Sequence, residues 1–163
     1  MTRRSLLAGL ALSAWATGAG AMVTQPLTAA QKALVAHYTN NDPQWAVLRQ
    51  AQVGEDRAKG LLTAQFPPAL AALSGKPFRI SGFISPLETG AATRHFIVTR
   101  RSTTCPFCPP NEPTEAVEVK LDAPARFTDA EVIVSGRLSL TGSSDEGLFY
   151  TLSDAKLIPG GRG

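Results

Sequence analysis

Ile80-Ser81-Gly82-Phe83-Ile84-Ser85 recurs later in the chain as Val134-Ser135-Gly136-Arg137-Leu138-Ser139. Both segments alternate apolar and polar residues, the period of a strand with one face in a core. Each carries a glycine at its centre. Glycine weakens a strand unless the backbone must bulge, bend or approach another chain segment closely, as in a small barrel. Each segment is also followed by a second apolar strand, His95-Phe96-Ile97-Val98 in the first case and Phe149-Tyr150-Thr151-Leu152 in the second. Extending the period from Lys76 onward gives five strands, over 77–85, 94–101, 115–121, 131–140 and 148–157. The turns between them are marked by Pro86, Gly90, Pro109, Pro110, Pro113, Pro124 and Gly142. Five short strands with a glycine inside the first and fourth predict a mainly β fold with N-terminal helices, its body a five-stranded OB-like Greek-key barrel. A small β-sandwich is the alternative.

Upstream, the pattern is helical. Thr28 is an N-cap candidate for a helix over 29–39, on which Leu27, Ala30, Leu34, Val35 and Tyr38 form an apolar stripe. Asn40-Asn41-Asp42-Pro43 turns the chain and starts a short helix with Trp45 and Leu48 on one face. Residues 53–64 are ambiguous, because Gly54 and Gly60 interrupt a charged segment. Phe66-Pro67-Pro68 leads into a short helix from Ala69 to Leu73, stopped at Ser74-Gly75. The organisation is an export signal over 1–21, a helical lead over 22–65 and the β domain over 66–163.

The export signal rests on Arg3 and Arg4, an uncharged apolar stretch from Leu6 to Ala16, and Ala19-Gly20-Ala21 before a cleavage site at Met22. Thr2-Arg3-Arg4-Ser5-Leu6-Leu7 is similar to the twin-arginine signal, with Leu6 in place of Phe and Ala8 in place of Lys. The apolar stretch is too short for a bilayer span of about 20 residues. No cysteine follows the cleavage site, so the product is expected in the periplasm with no membrane anchor. Residues 22–163 would form one domain. Removing Arg3 and Arg4 lowers the formal charge from +3 to +1, which excludes the concentrated basic face that nucleic acid requires.

The chemistry concentrates in Thr103-Thr104-Cys105-Pro106-Phe107-Cys108-Pro109-Pro110, between the second and third predicted strands, which holds both cysteines of the chain. Proline fixes φ and removes amide donors, so this loop is stiff. Three readings follow. A Cys-x-x-Cys pair is the arrangement of thiol-disulfide exchange, but such enzymes activate the first thiolate at a helix N-terminus, and here prolines and a strand-like Glu115-Ala116-Val117-Glu118-Val119 follow instead. A metal site would use Cys105 and Cys108 as thiolates for zinc or copper(I), with His95 as a third ligand and Glu112 or Glu115 as an oxygen donor. His95 starts about 13 Å of extended strand away, so the loop would have to fold back to reach it. A structural disulfide between Cys105 and Cys108 is the third reading, as expected of an even pair in an exported chain. Arg94, Arg100 and Arg101 beside the loop read as a solvated strand edge. His37 reads as a surface residue, and Asp122, Asp129, Asp145, Glu146 and Asp154 read as turn residues. No phosphate loop and no paired catalytic residues are apparent, which leaves thiol-disulfide exchange as the one catalytic reading and weighs against an enzyme.

From Leu70 to Leu157 the chain resembles a family of small bacterial envelope proteins of unknown function. The resemblance runs through Leu73, Gly75, Lys76, Ile80 and the Gly82-Phe83-x-x-Pro86-Leu87 strand. It continues through Phe96, the Cys105-Pro106-Phe107-Cys108-Pro109-Pro110 loop, Val119, Gly136, Tyr150 and Leu152. Members are often encoded beside ABC-type transporters thought to handle zinc, and some show Cys-x-His before the prolines. The resemblance implies an envelope accessory protein and no reaction; together with the loop it leads to the expectation of a periplasmic protein that binds a soft metal, an ABC-transporter component or another envelope protein through Cys105 and Cys108.

Overall fold

In a computed structural model that describes residues 26–158, five strands close into a barrel. They are preceded by helices α1 (Ala29–His37) and α2 (Pro43–Leu48), strands β1 (Gln52–Asp56) and β2 (Leu61–Gln65), and helix α3 (Pro68–Ala71). The barrel strands are β3 (Pro77–Pro86), β4 (Ala92–Thr99), β5 (Ala116–Arg126), β6 (Val132–Leu140) and, after a two-residue β7 (Ser143–Ser144), β8 (Tyr150–Ile158). Their order around the barrel is β3-β4-β5-β8-β6. All neighbours are antiparallel except β5 and β8, the Greek-key arrangement of an OB-like barrel. All five strands expected from the sequence are present, and each ends within a few residues of its expected bounds.

The two repeated segments lie side by side. β3 and β6 pair with Ile80 opposite Val134 and Phe78 opposite Gly136. Ile80, Phe96, Val98, Val117, Val119, Val134, Leu138 and Leu152 are fully buried and fill the interior. The glycines let the strands close on one another. A Cβ on Gly82 would lie 2.5 Å from the Thr99 carbonyl oxygen and 2.6 Å from a Val98 methyl. One on Gly136 would lie 2.7 Å from the Ser153 carbonyl oxygen, where the β6–β8 register shifts between Ser135 and Arg137. No side chain fits at either place without moving backbone.

The lead is not a separate layer. Trp45 and Leu48 of α2 are fully buried within the same core as the barrel side chains. Asp42 caps α2 through Gln44 N and reaches across to Ser81, accepting from its amide at 2.9 Å and its hydroxyl at 3.1 Å. Trp45 Nε1 donates to the Ser81 carbonyl oxygen (2.9 Å) and to Oδ1 of buried Asn40 (3.1 Å). The Tyr150 hydroxyl donates to the Leu48 carbonyl oxygen at 2.7 Å, and burial pushes its phenol well above the ordinary tyrosine range.

Two expectations for the lead are corrected. The ambiguous stretch is a β-hairpin, β1 pairing with β2, and β2 in turn pairs with β7. Its β1 residues are almost all exposed, so the alternation that normally reveals a strand is missing. The stripe on α1 is not a core face. Thr28 caps the helix with a full capping box, but no α1 residue is buried, and Leu27 and Leu34 stand exposed. Asp122 and Asp154 lie within β5 and β8, not in turns. Arg3, Arg4 and the cleavage region fall outside the described residues. Among those described, no helix is long and apolar enough to cross a membrane.

Candidate functional site

β4 and β5 pair antiparallel up to Thr99 opposite Ala116, so the residues just beyond, Arg100 and Glu115, meet at the root of the cysteine loop. Glu115 is 1% exposed and ends a 3-10 turn over Pro113–Glu115. Three guanidinium groups converge on it. Arg101 Nη2 bonds Oε2 and Nη1 lies 3.4 Å from Oε1; Arg100 Nη1 is 2.9 Å from Oε1; Arg49 Nε is 3.5 Å away. The expectation that Arg100 and Arg101 form a solvated edge is therefore corrected. Arg101 is buried and Arg100 half-buried, while Arg94 is exposed. Their carboxylate lies far away in sequence, across a proline-rich loop. Glu115, expected as an oxygen donor to a metal, is fully engaged with arginines. The antiparallel pairing of the strands on either side of the loop was the signal that could have found this contact.

The cluster holds the loop at several points. Arg101 Nη2 donates to the Pro110 carbonyl oxygen at 2.6 Å, and Asn111 bonds both backbone groups of Arg101, at 2.8 and 2.9 Å. Glu115 N donates to the Glu112 carbonyl oxygen, and the Glu115 carboxylate accepts from Glu112 N. On the entering side Ser102 N donates to the Tyr38 carbonyl oxygen, Asn40 N donates to that of Arg100, and Thr39 bridges Arg101. A buried charge pair of this kind contributes little net stability but is costly to break, so it fixes geometry. Arg101 Nε is buried without a partner.

Above this root the loop is a tight turn. Cys105 and Cys108 are joined by a disulfide with their Cα atoms 5.4 Å apart. Cys105 is buried and Cys108 half-buried, and no helix begins at either. Pro106, Phe107, Pro109 and Pro110 are exposed, and Phe107 is one of few large apolar side chains in the described structure that face solvent.

His95 belongs to a different cluster. Its Nε2 donates to Glu118 Oε1 at 2.7 Å on the outer face of β4 and β5. Glu118 also accepts from Thr151 Oγ1 (2.8 Å) and pairs with Lys120 (3.2 Å). Among the described residues no three of His, Cys, Asp and Glu are grouped to hold a metal ion, so His95 is not brought together with the cysteines. His37 is exposed, as expected.

Burial raises the Glu118 pKa, but the hydrogen bonds from His95, Thr151 and Lys120 and the Lys120 charge outweigh it and leave the carboxyl below 4.5. A carboxylate with a depressed pKa stabilises the fold above its unfolded pKa, and that contribution is lost as pH falls through the folded value. Wild type is therefore expected to be more stable than Glu118→Gln at neutral pH, with the gap closing below pH 4.5. Denaturant titrations of both proteins on either side of that pH check it; a gap that stays constant contradicts the assignment.

No protein-family model and no curated protein matches the chain. Among solved structures, the chain is similar to the crystal structure of a DUF3299 family protein from Pseudomonas aeruginosa. The identity is 22% and the TM-score 0.45, over 58% of this chain and 67% of that one.

Proposed function

We propose that the protein is an exported, periplasmic adaptor that engages an ABC-transporter component or another envelope protein through the oxidised Cys105–Cys108 loop. The observation that carries this reading is the loop itself: a disulfide-closed, proline-rich turn with Phe107 exposed between the cysteines, on a root fixed by the Arg101–Glu115 pair. A turn that is already rigid loses little conformational entropy on association, and an exposed aromatic on it can serve as a buried anchor in a partner's pocket. The twin-arginine-like leader supports the compartment, and the resemblance to envelope proteins encoded beside transporters supports the choice of partner. The soft-metal reading belongs to the reduced loop, where two freed thiolates would be available to zinc or copper(I). His95 would have to leave Glu118 to join them.

A photo-crosslinking side chain at position 107 tests the proposal in intact cells. It is expected to give one discrete adduct with an envelope protein, while the same probe at Val53, also exposed but on β1, gives none. Phe107→Ser should weaken binding of the identified partner at least tenfold, the order expected for loss of an aromatic anchor. Equal crosslinking from both positions, or unchanged affinity in Phe107→Ser, contradicts the proposal.

A further inference from the structure

A cleft of about 530 Å³ opens between the C-terminal end of α1 and the β5–β6 loop, a size within the ~300–1,000 Å³ typical of small-molecule sites. Its floor is Phe83, which points away from the barrel interior: its neighbours Gly82 and Ile84 along β3 take the inner side, and Phe83 is absent from the main core although only 7% exposed. Tyr38 and His37, packed edge to face at 4.8 Å, form one wall. Asp129 and Glu131 form the opposite rim. Neither carboxylate makes an ion pair or a side-chain hydrogen bond among the described residues, and no lysine or arginine lines the cleft. The Tyr38 hydroxyl is likewise without a hydrogen bond there.

We infer that this cleft binds a small organic cation, an ammonium or guanidinium on an apolar body. The aromatic floor and wall take the apolar body, and the two carboxylates take the charge. An anion would meet two unscreened carboxylates. A neutral apolar molecule would bury those carboxylates without a counter-charge, which is costly. This inference is independent of the cysteine loop and of its partner.

The probe is phenethylammonium, titrated into the mature protein and followed by amide and aromatic NMR shifts, with neutral 2-phenylethanol as its isostere. Saturable shifts at Tyr38, Phe83 and Glu131 are expected, weakening with salt. The paired variant Asp129→Asn/Glu131→Gln is expected to lower affinity at least about tenfold, the loss of one charge-assisted contact. Both substitutions lie on a surface loop, and an unchanged melting temperature would show that the fold is intact. Equal binding of the neutral isostere, no saturation, or unchanged affinity in the paired variant would overturn the inference. Shifts produced by a lysine-rich peptide but not by the free amine would also overturn it, and would assign the cleft to a basic segment of a protein.

Discussion

Glu115→Ala is expected to destabilise the protein by about 3–5 kcal/mol, because it leaves the buried Arg101 guanidinium without its counter-charge. For a domain of this size that corresponds to a fall in Tm of roughly 10 °C. Arg101 is 11% exposed at its side chain and already has one nitrogen without a partner, so it has little water to replace the carboxylate. Loss of the pair also frees Glu112 N and the Pro110 contact, so the loop should become mobile before the barrel melts. Hydrogen exchange at the Arg101 and Glu115 amides reads that directly. The companion variant Arg101→Met/Glu115→Leu removes both charges of the most buried pair, leaves Arg100 and Arg49 to turn to solvent from side chains 20% and 53% exposed, and is expected to cost less than the single exchange. A loss below about 1 kcal/mol in Glu115→Ala, or a double variant no better than the single, would mean that the pair does not hold the loop.

Trp45→Ala should cost about 3–5 kcal/mol, the usual loss for a fully buried aromatic replaced by alanine. Trp45→Phe, which keeps most of the volume but removes the N–H, should cost on the order of 1–2 kcal/mol, mainly from the two hydrogen bonds lost to the Asn40 and Ser81 oxygens. The ranking separates packing from hydrogen bonding. The experiment also tests whether the lead and barrel are one cooperative unit. Trp45 meets the core beside Gly82 and Val98, so unfolding of Trp45→Ala should remain a single transition displaced to lower denaturant. A barrel transition unchanged by the substitution would show that α2 folds apart from it.

The barrel was legible in the sequence because its strands alternate cleanly and its turns carry prolines. The central glycines of β3 and β6 pointed to close backbone approach, and the structure gives that approach as distances no Cβ could tolerate. The β1–β2 hairpin was hidden because its exposed residues do not alternate. α1 misled in the opposite direction, since helical spacing of apolar residues describes a stripe but not what covers it. At the site, the cysteines, prolines and Phe107 could be read from one short run. The Arg101–Glu115 pair needs one step more, the antiparallel pairing of the strands on either side of the loop, and its burial depends on what packs over that root. His95 could be placed on β4, but its partner Glu118 depends on the β4–β5 register.

The proposed adaptor depends on the loop working as an oxidised, rigid turn. Its oxidation state is read from the intact mass of the protein purified without reductant from cells that express the full chain. The mass would be taken under denaturing and native conditions after exposure to a thiol-alkylating reagent. The expected result is a mass lower than the reduced chain by two hydrogens, no alkylation at Cys105 or Cys108, and no metal in the native mass. Two alkylated cysteines together with a native mass excess matching zinc or copper would contradict it, and would make the loop a metal-holding element.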